Sequence, residues 1–354
     1  MPAIDKLFTQ MLEADGSDLH LKEGQVPKIR LNGEIEELVG HPKLTHQLMS
    51  TLLSGICPAD VWKKYGKMGD VDFAYSMGGE SRFRANYYRH FDGFGAIFRI
   101  IPVKILTLEQ LGTPDVFKRF AELKSGLVLV TGPTGSGKST TLAAIIDYIN
   151  KNYARKIVTI EEPVEFVHVS RQCIITHREV GPDTKSFTSG LRGALKADAD
   201  VILVGEMRDP ETIELALTAV EMGILVFGTL HTNSAPKTVD RIIDVFPAKK
   251  KPAIRAILAN ALQGVVSQQL LRSKDGTRRY AAHEILLATQ ALGAVIRQGE
   301  TVKLASFMQV NRGIGMQTMD DCLWDMVKAE KISMEEAHRK ASDKDRFVDS
   351  NDDF

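Results

Sequence analysis

TGPTGSGKSTT (residues 131–141) places Gly132, Pro133, Gly135 and Gly137 ahead of Lys138, then sets Ser139, Thr140 and Thr141 in a row. Just upstream, Gly126-Leu127-Val128-Leu129-Val130 is a short apolar run with two valines, the pattern of a buried parallel strand. Downstream, Leu142, Ile145, Ile146 and Ile149 recur at helical spacing. The unit therefore reads strand, glycine-rich loop, helix. Glycines let the loop turn its N–H groups inward, and the helix N-terminus adds its own donors, so the segment is an anion cradle. Gly132, Gly137, Lys138 and Ser139 match G-x-x-x-x-G-K-[ST]. ATP with Mg²⁺ is the expected ligand. Gly132, Thr134, Gly135, Ser136, Gly137, Lys138, Ser139 and Thr140 are the expected contacts, with Lys138 on the β/γ-phosphates and the Ser139 hydroxyl on the metal.

The chain has 354 residues, enough for two domains. Its 45 basic and 45 acidic side chains leave a formal net charge of zero, which gives no footprint for wholesale nucleic-acid binding. Cys57, Cys173 and Cys322 are isolated, with no C-x-x-C, so neither a disulfide framework nor a four-cysteine zinc site is expected. Scattered thiols suit a reducing cytoplasm. The N-terminus carries acids early and no long apolar run, so no signal peptide is expected. No stretch approaches the ~18 apolar residues of a membrane span.

Residues 1–100 read as a small α+β domain. IDKLFTQMLEADG opens it as a helix. SDLHLKEG, KIRLNGEIEEL, VDFAYSM, SRFRANYYRH and GAIFRII are strand candidates, with turns at Asn32-Gly33 and Gly78-Gly79. THQLMSTLLSGI and PADVWKKYG read as helices between them. Pro102, Thr107 and Gly112-Thr113-Pro114 mark a linker over 101–114. Residues 115–290 alternate strand and helix, the signature of a parallel sheet, with strands at LVLVTG, KIVTIEE, CIITHREV, DVILVGE and ILVFGTLH. From about 285 the pattern turns helical, ILLATQALGAVIRQG then TMDDCLWDMVKAEKI, giving a helical region over 291–340. A charged tail, 341–354, is expected to fray.

A cradle alone hydrolyses nothing; an acid near the metal, a group to activate water and a cation for developing charge are also needed. Asp200-Val-Ile-Leu-Val-Gly-Glu206 is a buried strand ending in a carboxylate, and strand ends in open α/β sheets face the ligand crevice. Most P-loop proteins have Asp as the last strand residue; here Gly205 stands there, with Glu206 one step later. Ile157-Val-Thr-Ile-Glu161-Glu162-Pro163 ends in paired acids that point to opposite faces. Glu161 is taken as the water-activating base and Glu162 as support for the Mg²⁺ shell, with the reverse assignment open. His231, closing Gly228-Thr229-Leu230-His231, is a candidate γ-phosphate sensor or a partner for a catalytic acid as neutral imidazole. Asp209-Pro210 reads as a helix cap with proline at N1. Arg82 and Arg84 share a strand face; with Arg99, and with Arg192 elsewhere, they are candidate cations for a nucleotide, reached by domain closure or from a neighbouring subunit. His168, Cys173 and His177 superficially resemble metal ligands, but on a strand they split between faces.

With these motifs the chain resembles the PilT-like ATPases of type IV pilus retraction, within the secretion-ATPase superfamily. The resemblance covers most of residues 1–335. It rests on SDLHL (17–21), GLVLVTGPTGSGKSTTLAA (126–144), TIEEPVEFVH (159–168), VILVGEMRDPETIELAL (201–217), VFGTLHTNSAPKTVDRIIDVFP (226–247) and GMQTMD (315–320). It implies a RecA-like P-loop ATPase domain, α/β in class, with a smaller N-terminal α+β (PAS-like) domain and C-terminal helices. In family terms Lys138/Ser139, Glu161/Glu162, Glu206 and His231 fall in the Walker A, Asp box, Walker B and His box. The resemblance further implies a homohexamer in which one subunit's N-terminal domain lends Arg84 and Arg99 to the next subunit's nucleotide. It also implies an inner-membrane pilus platform protein as partner, a paralogous retraction ATPase as a further one, no nucleic acid, and a cytoplasmic location peripheral to the inner membrane. Two departures stand out. The family's Glu-Asp-Pro is Glu161-Glu162-Pro163, and its Ala-Ile-Arg-Asn-Leu-Ile retraction motif reads Ala-Leu-Gly-Ala-Val-Ile at 291–296, with Gly293 and Ala294 for Arg and Asn. An accessory, PilU-like role is the alternative this raises; a nucleic-acid translocase on the same engine is the other, against which zero net charge argues.

Overall fold

A computed structural model describes residues 2–31, 34–78, 81–101 and 104–348. The turns expected at Asn32-Gly33 and through Gly79, the linker's Pro102 and the tail residues 349–354 lie outside the described residues. The chain divides into two compact units, Met1–Lys104 with Pro163–Val167, and Ile105–Glu162 with His168–Phe354.

The first unit runs α1 (Asp5–Glu13), β1 (Asp18–Lys22), β2 (Lys28–Leu31), β3 (Glu34–Glu37), α2 (His46–Ser54), α3 (Ala59–Met68), β4 (Asp70–Met77), β5 (Ser81–His90) and β6 (Gly93–Ile101). Its strands form one antiparallel sheet in the order β3-β2-β1-β6-β5-β4. Strand periodicity decides its two faces. Phe83, Ala85 and Tyr87 of β5, Ala96 and Phe98 of β6, and Leu19 and Leu21 of β1 are all buried. Phe8 of α1 stacks on Phe83 with ring centroids 4.1 Å apart and meets Phe98 edge-on at 5.1 Å. The alternate residues put Arg84 opposite Arg99, and Arg99 opposite Asp18, on the other face.

The second unit continues α4 (Val116–Glu122), β7 (Gly126–Thr131), α5 (Lys138–Asn152), β8 (Lys156–Glu161), β9 (Ile174–Glu179), α6 (Phe187–Leu195), β10 (Val201–Val204), α7 (Pro210–Glu221), β11 (Leu225–Leu230), α8 (Ala235–Asp244), α9 (Lys251–Ala261), β12 (Leu262–Arg272), β13 (Arg279–Leu287), α10 (Gln290–Gln298), α11 (Leu304–Val310), α12 (Met319–Lys328) and α13 (Met334–Lys340). The sheet order is β13-β12-β7-β11-β10-β8-β9, parallel except for β13 against β12. β7 is buried at every residue, as a central parallel strand must be.

Two sequence expectations change here. Ile285-Leu286-Leu287 is the end of β13, not the start of a helix; every residue from Ala282 to Leu287 is buried. The helix begins only where the Thr289 hydroxyl caps it, accepting from Leu292 N at 3.0 Å. The tail does not fray from 341. Ser342 and Asp343 donate their amides to the Asp320 carboxylate at 2.8 and 2.9 Å. Arg346 reaches Asp321 at 2.9 Å, and Phe347, 1% exposed, packs edge-on to Trp324. One aromatic and two charged anchors hold what charge density alone marks as loose.

Candidate functional site

Strand register brings the motifs to one edge. Thr131 of β7 pairs with Leu230 of β11, Val204 of β10 pairs with Gly228 of β11, and Val204 also pairs with Ile160 of β8. The loop of Lys138, the Gly205-Glu206 turn, Glu161-Glu162 and His231 therefore all emerge from the C-terminal ends of neighbouring parallel strands, where such sheets bind ligands.

Gly132, Gly135 and Gly137 have φ of +144°, +80° and +87°, a backbone that only glycine adopts without strain. Lys138 opens α5, and its ammonium turns back to donate to the carbonyls of Gly132 (2.8 Å) and Pro133 (3.1 Å). Thr134 and Gly135 are exposed, and Ser139 and Thr140 half-buried. Ser136 is 3% exposed, and its Oγ has no hydrogen-bond partner among the described residues. An orphaned buried hydroxyl beside left-handed glycines and one cation fits a polyphosphate.

The Glu206 carboxylate is held by Arg208 and by His231, whose Nε2 lies 3.2 Å from Oε1. Burial pushes this carboxyl up, but the Arg208 hydrogen bond and the His231 charge outweigh it and hold it below the usual carboxylate range. The glycine before Glu206 has a steric reason: a Cβ at Gly205 would lie 3.1 Å from the Ile160 carbonyl oxygen and 3.2 Å from Glu161 Cα. A side chain there would press on the backbone of β8, which passes this close to the Glu206 turn. The Thr229 hydroxyl donates to the Gly205 carbonyl, fixing the turn from β11. Glu161 is half-buried and Glu162 exposed.

The other candidates separate. Asp209 caps α7, accepting from Thr212 N at 2.9 Å, with Pro210 at the first helical position. Arg192 of α6 pairs with Glu211 of α7 at 2.6 Å on an exposed surface. His177 bonds the Thr159 hydroxyl (2.9 Å) and accepts the His168 amide (3.0 Å), whereas the Cys173 thiol donates to Tyr153 O (2.9 Å). Burial lowers the His168 imidazole to about 4. In the first unit, Arg99 Nε donates to Asp18 at 2.7 Å and Arg84 lies 3.7 Å from Asp72. Where the family motif has arginine, Gly293 of α10 faces α9: a Cβ there would lie 3.2 Å from Ala259 O and 3.3 Å from Arg297 Nη1.

Sequence reading missed Arg208 and Gln268. Arg208 pairs with the strand-end acid from only two residues away, inside the run GEMRDPET, where it reads as solvated surface charge. Gln268 on β12 lies under the glycine loop, and no pattern marks it.

The family model described as Type II/IV secretion system protein matches residues 1–314. This chain belongs to that family. Among its relatives, the type IV pilus retraction ATPase PilT of Pseudomonas aeruginosa is 47% identical over 97% of this chain and 99% of its own length. A twitching motility protein of Neisseria gonorrhoeae is 47% identical over 89% of this chain and 84% of its own. The type IV pilus ATPase PilU of Pseudomonas aeruginosa is 38% identical over 94% and 87%. A crystal structure of the pilus retraction motor PilT with bound ADP superposes with a TM-score of 0.90, at 41% identity, over 96% of this chain and 97% of that one. The secretion-family member described here thus has the α/β, RecA-like P-loop ATPase fold expected from its motifs, with strands 7 to 12 forming the parallel part of its sheet.

Proposed function

We propose that the chain is an ATP-hydrolysing motor that works as a homohexamer and powers type IV pilus retraction, and with it twitching motility. The observation that carries this is the end-to-end likeness to a pilus retraction ATPase. A glycine loop built as an anion cradle supports it chemically. Loop amides and Lys138 bind the triphosphate, with Thr134, Ser136 and Thr140 lining the loop. Mg²⁺ fits the hard oxygen donors Ser139 and Glu162, and when bound it neutralises charge on the phosphates. Glu161 accepts the proton of the attacking water. Glu206, kept ionised by Arg208, orients the site with His231. Arg84 and Arg99 come from a neighbouring subunit's N-terminal domain to meet the charge that develops in the transition state.

We propose an N-terminal domain over 1–100, a linker over 101–114, an ATPase core over 115–290, helices over 291–340 and a tail to 354. No helix among the described residues is long and apolar enough to cross a membrane. We place the hexamer on the cytoplasmic side of the inner membrane at the pilus base, against a platform protein, with a paralogous ATPase as a second partner.

The Arg99→Ala variant tests the trans-acting cation. Turnover is expected to fall by about 10³-fold. Fluorescent-nucleotide affinity stays within about threefold, because the cradle of the second unit is untouched. Asp18, 3% exposed, loses its 2.7 Å partner in this variant, so the first unit also melts earlier. Turnover near wild type would remove Arg99 from the mechanism.

Gly293 and Ala294 in place of the motif's Arg and Asn favour one second reading, an accessory ATPase beside a separate motor. Deleting the gene separates the two. Surface pili that accumulate and no longer retract are the expected outcome, read by retraction imaging and twitching-zone diameter. Near-normal retraction would establish the accessory reading instead.

A further inference from the structure

We propose that Gln268 is a positioning residue that locks the phosphate-binding loop in its anion-receiving form; this rests on the nucleotide reading of that loop. β12 runs parallel to β7 with Ser267 opposite Thr131, and their hydroxyls lie 2.8 Å apart. The next residue, Gln268, is 2% exposed. Its Nε2 donates to the Ser136 carbonyl at 2.6 Å, and its Oε1 accepts from the Thr141 hydroxyl at 2.8 Å. One side chain thus bridges the end of the loop and the first turn of α5.

The consequence follows from peptide geometry. In a trans peptide the C=O and the next N–H point in opposite directions. Drawing the Ser136 carbonyl toward β12 turns the Gly137 N–H away from β12, where an anion can take it. A flip of this peptide changes ψ of Ser136 and φ of Gly137, and glycine at 137 eases it because glycine takes either sign of φ. The Gln268 amide removes that freedom by rewarding one orientation. The contact is also close. A Cβ at Gly137 would lie 2.8 Å from Gln268 Nε2, and one at Gly132 would lie 2.3 Å from the Gln268 carbonyl oxygen. Gly132 is therefore required twice, by its φ and by the approach of the β12 backbone, whereas at Gly137 an added side chain would press on the bracing amide itself.

The test is titration with a fluorescent ADP analogue and Mg²⁺ of the full chain, comparing wild type, Lys138→Ala, Gln268→Met and Gln268→Glu, with thermal melts of each. Gln268→Met strands a buried carbonyl and a buried hydroxyl, and its Kd is expected to rise about tenfold. Gln268→Glu is the sharper variant. Ionised, it offers no donor and faces the Ser136 carbonyl with negative charge; protonated, it again offers one donor and one acceptor. Its affinity is expected to be weak at pH 8 and to recover toward wild type as pH falls through the carboxyl's titration, a recovery wild type lacks. A peptide brace predicts that profile; simple core filling does not. Wild-type affinity in both variants across the pH range would overturn the proposal while leaving the nucleotide reading intact. A weak affinity in Gln268→Glu that does not change with pH would overturn it too. No binding by wild type, or full binding by Lys138→Ala, would instead bring down the nucleotide reading itself.

Discussion

Lys138→Ala lowers ATP turnover by at least about 100-fold and weakens nucleotide binding with it. The lysine opens α5 at the mouth of the loop, and its ammonium is held over the loop by the Gly132 and Pro133 carbonyls at 2.8 and 3.1 Å. A triphosphate offers that ammonium charged oxygens in place of neutral carbonyls. Each charge-assisted hydrogen bond is worth about 1.5–3 kcal/mol. Two such contacts strengthened in the transition state correspond to roughly 10²–10⁴ in rate. Alanine supplies none of this, yet it is the best helix former, so α5 keeps its start and the melting temperature moves little. Phosphate release by the purified protein and a fluorescent-nucleotide titration read the two effects together. Turnover undiminished in Lys138→Ala would refute the site. A gene carrying this variant also fails to restore pilus retraction in a deletion strain.

Much of this architecture is legible in the residues because local and global signals agree. Gly126–Val130 is a continuous apolar run since both sheet faces are covered, and the glycine loop follows it at once. Strand ends at Glu161, Glu206 and His231 are legible because parallel strands in register put their C-termini along one edge. The strands of the first unit follow from alternation, Phe83, Ala85 and Tyr87 inward against Arg82 and Arg84 on the alternate positions.

What stays hidden is what crosses the chain. β12 carries Ser267 and Gln268 in the middle of its run, and two buried polar residues interrupt any apolar pattern; they are buried because the P-loop needs partners 127 to 136 residues away. Ile285–Leu287 joins a helix by composition, and only its pairing with β12 makes it strand. The tail is charged, so local chemistry reads as loose; Asp320 and Asp321 hold it from another element. Gly205 departs from the common P-loop pattern, and the close backbone of Ile160 and Glu161 leaves a side chain there little room.

Glu206→Gln is expected to cost about 10²-fold or more in turnover while nucleotide affinity stays within about threefold, because an amide keeps the shape and gives up the charge. The carboxylate's ionisation is the point. Burial opposes it, the Arg208 hydrogen bond and His231 favour it, and the balance lies below the ordinary value of 4.5. Glu206 is therefore charged throughout the neutral range, serving as a fixed anion rather than a proton donor. The same balance makes a stability prediction. A carboxyl whose folded-state value is depressed contributes stability above its unfolded value and loses it as pH falls through the folded one. Wild type should accordingly melt above Glu206→Gln at pH 7, and the gap should close as pH drops below about 4.5, where the unfolded chain takes up the proton first. Arg208 is largely exposed, so solvent screens the pair and the gap is small. Steady-state turnover and melting curves from pH 7 to pH 4 check both halves. A variant that turns over within about threefold of wild type takes Glu206 out of the reaction, and a melting gap that ignores pH shows that the Arg208 and His231 contacts do not act through its charge.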